Sequence, residues 1–226
     1  MSLELETQDL LQRIALCIEL GKDCRETSYP EQLRGEDGVD ELVRRALASG
    51  IHPNDVLSEG LMPGMDRIGA LFGERKAYVP QLLLSARAMT KGMEHLKPYF
   101  QSGEAVRKGK LVLGVVEGDL HDIGKNLVRM MVEGACWEVI DIGIDQPTAS
   151  FVEAVEQNPG CAVGVGALLT STMPQMENTV EALKTRSHAT LVVIGGAPVS
   201  EQYADSIGAD LFLRTAPAAR EYFATL

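Results

Sequence analysis

The sequence predicts an all-helical N-terminal half followed by an α/β domain built on a five-stranded parallel sheet. Apolar residues recur every three or four positions up to residue 100, and beyond it short apolar runs alternate with helical segments. The polar stretch QSGEAVRKGK lies where the rhythm changes and reads as a linker. The expected units are 1–100 (helical), 101–108 (linker) and 109–226 (α/β).

Taken in order, Leu10 to Leu20 and Val39 to Ala48 make two helices separated by the loop-like KDCRETSYPEQLRGEDG. Leu57, Leu61, Met65, Ile68 and Phe72 mark a third helix, and Leu82, Ala86, Met89, Met93 and Leu96 a fourth. Pro53 and Pro80 stand where a helix's first turn tolerates a missing N–H. Four helices with short connections predict a four-helix bundle. In the second half KLVLGVV, WEVIDIG, AVGVGALL, TLVVIGG and DLFLR read as strands. Between them KNLVRMMVEGA, ASFVEAVEQ, MPQMENTVEALKTR and VSEQYADSI read as helices. That order favours a doubly wound, flavodoxin-like (Rossmann-type) domain, which binds ligands beyond the carboxyl ends of its strands.

Composition narrows the function. A net charge of −11 argues against nucleic acid as a partner, because phosphates demand Lys/Arg patches, and against an anionic membrane. No apolar run approaches the roughly 20 residues of a membrane span, and MSLELETQDL is too acidic for a signal peptide. Cys17, Cys24, Cys136 and Cys161 show neither CxxC nor disulfide-like spacing and read as reduced thiols of a cytoplasmic protein.

The first strand ends in VVEGDLHDIGKN, which places Asp119, His121 and Asp122 where a doubly wound fold builds its site. Asp119 or Asp122 can serve as an N-cap for a helix beginning near Gly124, with His121 a solvated loop residue. An Asp-His catalytic dyad lacks a nearby nucleophile, and a hydrolytic zinc site lacks further His or Cys ligands at the other strand ends. His52, His95 and His188 read as ordinary surface or packing residues. The remaining reading is a metal that arrives already coordinated by a macrocycle, haem included. His121 would ligate it, and Asp119 would accept the second ring N–H.

The residues Asp119-Leu120-His121-Asp122-Ile123-Gly124, then Gly166-Ala167-Leu168, then Gly195-Gly196 follow a known spaced pattern. The chain thereby resembles the cobalamin-binding domain of the methionine synthase and methyltransferase corrinoid-protein family, whose pattern is D-x-H-x-x-G, S-x-L and G-G. Gly166 stands where the family has serine. EGLMPGMDRIGALFGERKAYVPQLLLSARAMTKGMEHLKPYF resembles the family's four-helix cap. The resemblance implies a corrinoid cofactor with His121 as lower cobalt ligand. It also implies cofactor contacts from Gly118, Asp119, Asp122, Ile123 and Gly124, from Gly166, Leu168, Thr170 and Thr172, and from Gly195, Gly196 and Ala216. Phe72, Val79 and Leu82 would cover the upper cobalt face, although core packing of a bundle explains the same positions. Thr172 would extend a His121–Asp119–Thr172 relay or simply cap the helix at Pro174. Gly164, Gly166, Gly195 and Gly196 would open a slot for the corrinoid's nucleotide tail, or serve close packing. Asp122 and Lys125 keep peripheral roles. Thr215 stands where many relatives have Asp.

The implied function is a non-catalytic methyl carrier. It would receive a methyl group on cobalt from a substrate-specific methyltransferase and deliver it to a corrinoid:acceptor methyltransferase using tetrahydrofolate or a thiol. A reductive activase is a further implied partner. Two rivals share the D-x-H-x-x-G domain: the cobalamin subunit of a mutase, which would not need the cap, and a cobalamin-based sensor, which normally adds a DNA-binding module.

Overall fold

Each N-terminal helix forms on a stripe of apolar side chains that has to be buried. The computed structural model describes residues 2–102, 106–186 and 191–226, which divide into two units, Met1–Arg107 and Lys108–Leu226. The first holds α1 (Ser2–Leu20), α2 (Val39–Ala48), the short α3 (Pro53–Asp55), α4 (Met62–Gly73) and α5 (Val79–Ser102). Helix α1 buries Leu10, Leu11, Ile14, Ala15 and Ile18 and packs on α2, α4 and α5. Those helices bury Leu42 and Val43, Met65 and Ile68, and Leu82, Met89 and Leu96 in turn. Each large aliphatic side chain removed from water stabilises the unit by roughly 2 kcal/mol. A Cβ at Gly64 would lie 2.4 Å from the Ala15 carbonyl oxygen, so α1 and α4 approach this closely only without a side chain there.

The apolar spacing predicts one regular helix from Leu57 to Phe72, but its first part, Val56–Leu61, is π-helical. The cause is Pro63, which lacks an N–H and whose ring excludes the carbonyl four residues back, so the preceding turn widens. Helices α1 and α5 also run further than the periodic residues. Periodicity marks only the buried length of a helix. Between α1 and α2, the loop tucks Lys22 fully inside, its ammonium donating to the Thr27 carbonyl at 2.5 Å. Part of the expected linker, residues 103–105, and His188 lie outside the described residues. No helix among the described residues is long and apolar enough to cross a membrane.

The second unit runs β1 (Lys110–Val116), α6 (Ile123–Gly134), β2 (Glu138–Gln146), α7 (Thr148–Gln157), β3 (Ala162–Gly166), α8 (Met173–Arg186), β4 (Leu191–Gly195), α9 (Glu201–Ile207), β5 (Leu211–Phe212) and α10 (Ala216–Thr225). The five strands are all parallel in the order β2-β1-β3-β4-β5, the expected Rossmann-like architecture. Strand β1 is buried at every residue after Lys110, as a strand covered by helices on both faces must be. One core gathers Phe151, Met176, Val180 and Leu183 with Val112 and Val163. The other gathers Leu111, Leu113, Val132, Trp137 and Phe223. Helix α10 has no counterpart among the expected elements. It is held by Trp137, whose indole N–H donates to the Phe223 carbonyl at 2.8 Å and whose ring meets Phe223 edge-on at 4.8 Å.

Candidate functional site

Strand order alone locates the site. From β1 the chain moves through α6 to β2 on one side, whereas β3, β4 and β5 extend the sheet on the other. The loops leaving β1 and β3 therefore diverge, and the crevice between them is where doubly wound folds bind ligands. Residues 117–122 and 167–172 form these two loops.

Asp119 joins them. Its side chain is fully buried. Oδ1 accepts from His121 Nδ1 at 2.7 Å and from the His121 backbone N–H at 3.2 Å. Oδ2 accepts from the Leu168 N–H at 2.6 Å and the Thr172 hydroxyl at 2.9 Å. The D-x-H spacing follows from this geometry, since a short carboxylate bonds the backbone two residues on and positions the ring attached there. Burial, the largest single influence, pushes the Asp119 carboxyl up. The bonds from Leu168, His121 and Thr172 outweigh it and hold the group down at about 2. An ionised carboxylate only accepts, so Nδ1 of the neutral ring carries the proton and Nε2 keeps its lone pair. The imidazole is 51 % exposed; exposed Leu120 and Leu169 lie on the two loops and exposed Ile123 opens α6. An apolar rim beside an available nitrogen suits a large flat ligand better than a hydrated ion.

The other expected residues fall as follows. Gly118 (φ 82°) turns the chain out of β1, and Asp122 precedes α6 without a side-chain cap bond. Gly124 lies beside Leu168, its added Cβ 4.0 Å from Cδ2. Thr170 is exposed and Thr172 buried; the Thr172 hydroxyl also lies 2.9 Å from the Leu169 carbonyl. With one proton to give, the charged Asp119 is the stronger acceptor. Gly195 ends β4 and Gly196 follows it, and a Cβ at Gly196 (φ 141°) would sit 1.8 Å from the Ala167 carbonyl oxygen. A Cβ at Gly164 would meet Leu113 Cδ1 at 2.8 Å, which is packing between strand neighbours. Gly166 is tighter against Val115 than against any loop. Ala216 opens α10 behind Thr215, whose hydroxyl caps the Ala218 N–H at 3.2 Å. In the helical unit Phe72 and Val79 are half-buried and Leu82 fully buried. Tyr78, beside Val79, is 72 % exposed.

Lys125 corrects the peripheral role given to it. Its side chain is 6 % exposed and pairs with Asp141 of β2. Asp145, also absent from the expected site, accepts the Gly118 N–H at 2.7 Å.

A family model described as a B12 binding domain matches residues 109–223, and a second B12 binding domain model matches residues 35–97. Dimethylamine corrinoid protein 1 of Methanosarcina acetivorans is 39 % identical over 187 residues, covering 81 % of this chain and 87 % of that protein. Among solved structures, a chain of the methanol:cobalamin methyltransferase complex from Methanosarcina barkeri superposes with a TM-score of 0.78 at 28 % identity, over 94 % of this chain and 77 % of that one. A cobalamin-binding protein from Desulfitobacterium hafniense gives 0.68 at 30 % identity, over 94 % and 96 %.

Proposed function

This chain belongs to the B12-binding corrinoid protein family, and from that premise we propose that it is a methyl carrier between two methyltransferases. The observation that carries the proposal is the ring of His121, its Nδ1 bound by a buried carboxylate and its Nε2 free of hydrogen bonds to the described residues. Among the described residues no group of three or more His, Cys, Asp or Glu could hold a metal ion. A metal at His121 therefore needs its other ligands from a non-protein group, which a corrin ring supplies. When bound, the corrinoid contributes a cobalt centre able to take up and release a methyl group.

The chain's own residues do the rest. His121 Nε2 would hold the cobalt of the corrinoid, and Asp119, bonded to Nδ1, orients the ring and raises its basicity. Asp119, held ionised by its hydrogen bonds, places a negative charge beside the ring. Gly118, Asp122, Ile123 and Gly124 at the β1 end would contact the cofactor, as would Gly166, Leu168, Thr170, Thr172, Gly195, Gly196 and Ala216 at the other strand ends. For Phe72, Val79 and Leu82 of the helical unit, the resemblance favours a role as apolar cover that keeps water and oxidants from the cofactor. The resemblance to methylamine and methanol corrinoid proteins favours a substrate-specific methyltransferase as donor partner, a corrinoid:acceptor methyltransferase as recipient partner and a reductive activase for repair.

The test is the visible spectrum of the protein with hydroxocobalamin, for wild type and His121→Ala, followed by demethylation of the methylcobalamin-loaded protein by an added corrinoid:acceptor methyltransferase. Both proteins are expected to take up the cofactor, with the His-ligated spectrum restricted to wild type. Demethylation should require the added enzyme. Loss of methyl without it, or no corrinoid uptake by wild type, would sink the proposal.

A further inference from the structure

Strands β1 and β2 keep register from Lys110↔Glu138 to Leu113↔Asp141 and then slip, so that Gly114 faces Gly143 and Val116 faces Gln146. Three steps along β1 thus match five along β2. The surplus is absorbed where Gly143 (φ 98°) and Asp145 (φ 55°) adopt left-handed conformations, the second tolerated because Asp is short and polar. Irregularities of this kind on an edge strand re-aim side chains beside functional sites. Here the slip aims Asp145 at the β1–α6 connection, while Asp141, the last residue in register, reaches the first turn of α6. Asp145 Oδ1 accepts the Gly118 N–H at 2.7 Å, and the Asp145 N–H donates to the Asp119 carbonyl at 3.1 Å. Asp141 Oδ2 pairs with the Lys125 ammonium in the first turn of α6, while Oδ1 accepts the Gly143 N–H at 2.9 Å. Lys125 also donates to Asn126 Oδ1 at 3.0 Å, and Arg129 Nε, one turn on, lies 3.8 Å from Asp141. An ammonium this buried demands such partners.

We propose that β2 is the positioning strand for the axial histidine: Asp145 fixes the start of the His121 loop, and the Asp141–Lys125 pair fixes where that loop joins α6. The inference rests on His121 being the cobalt ligand and adds the residues that set where it stands. Leu168 and Thr172 hold only the middle of the loop, through Asp119. Without the two tethers from β2 the loop can pivot about that point. Asp145, Asp141 and Lys125 act on His121 through the backbone of its loop and are positioning residues, not ligands.

The experiment uses the full chain with hydroxocobalamin. Asp145→Gly deletes the carboxylate without penalty at a positive φ, and Asp145→Asn keeps an acceptor oxygen and tolerates the same backbone. Asp145→Gly is expected to retain cofactor uptake and a wild-type melting midpoint. The ratio of His-ligated to unligated protein should fall by about tenfold, the scale of one hydrogen bond to a charged group. Asp145→Asn should restore most of it. In cofactor-free protein, ¹⁵N shifts of the His121 ring should show a smaller Nδ1–H fraction in Asp145→Gly than in wild type. A wild-type ratio and wild-type ring shifts in Asp145→Gly overturn the proposal, as does an Asp145→Asn protein as impaired as Asp145→Gly. Should Asp145→Gly fail to fold, the Lys125→Met/Asp141→Leu double variant, which exchanges the ion pair for apolar groups, must lose His ligation while keeping uptake. Unchanged ligation there overturns the proposal equally. A His121→Ala spectrum identical to wild type refutes instead the ligand role itself, and the ring shifts of cofactor-free protein then still decide the tether.

Discussion

At the scale of single residues, the site depends on a carboxylate whose acceptor positions are all used. Asp119 has about four lone-pair directions and receives two donors from His121, one from Leu168 and one from Thr172. The Thr172 hydroxyl is the one donor that a side-chain change can remove without altering a backbone or the ligand itself. Thr172→Val keeps the shape and leaves a buried ionised oxygen one bond short, at a cost of about 2 kcal/mol. The expected result is a lower melting midpoint together with a smaller His-ligated fraction of hydroxocobalamin-loaded protein. Thr172→Ser should match wild type in both measurements. A Thr172→Val protein that ligates cobalt like wild type would reduce Thr172 to a helix cap. The pairing of Asp119 with His121 was legible in the sequence because it is local, the carboxylate bonding a residue two positions on. Asp145 and Lys125 were not legible: their contacts depend on a strand slip that apolar spacing does not encode, and a lysine after a loop reads as solvated until its partner strand is placed.

At the scale of elements, apolar spacing located what is buried and missed what polar groups shape. KLVLGVV coincides with β1 and MPQMENTVEALKTR with α8, since both are bounded by clear breaks and pack against the interior along their length. Helix α10 has only two large apolar residues, Tyr222 and Phe223, and docks through an indole–carbonyl bond, so no period announces it. The junction of α1 and α5 is another polar device. Asp23, just past α1, meets Arg87 Nε of α5 at 2.9 Å and accepts the Cys24 N–H at 2.9 Å and the Thr27 hydroxyl. Burial pushes its carboxyl up, but Thr27, Arg87 and Cys24 together bring it below its ordinary 3.8. A lowered value means the unfolded chain takes up the proton first. The stabilisation is therefore complete above 3.8 and is lost as pH falls through the lower folded value. Asp23→Asn should be less stable than wild type near neutrality, and the gap should close as the pH drops below 3.8. Far-UV circular dichroism melts over that range measure it. A gap independent of pH would show that Asp23 contributes through shape alone.

At the scale of the whole molecule, each unit carries its own interior. Both hydrophobic clusters flanking the sheet draw only on residues after Lys108. The hydrogen bonds that build the His121 loop likewise begin and end within Lys108–Leu226. A fragment of those residues is therefore expected to fold cooperatively, to take up hydroxocobalamin and to show the His-ligated spectrum. What it should lack is protection. In the proposed carrier, apolar cover of the cofactor is the role assigned to Phe72 and Val79 of the helical unit, both half-buried within it. Water and oxygen exclusion is a property of cover, whereas ligation is a property of the loop. After anaerobic reduction of the cobalamin-loaded samples, reoxidation in air should thus be faster for the fragment than for the full chain, while their His-ligated spectra before reduction agree. Equal reoxidation rates would remove the covering role from the helical unit. A fragment without the His-ligated spectrum would instead place part of the loop's support in the helices.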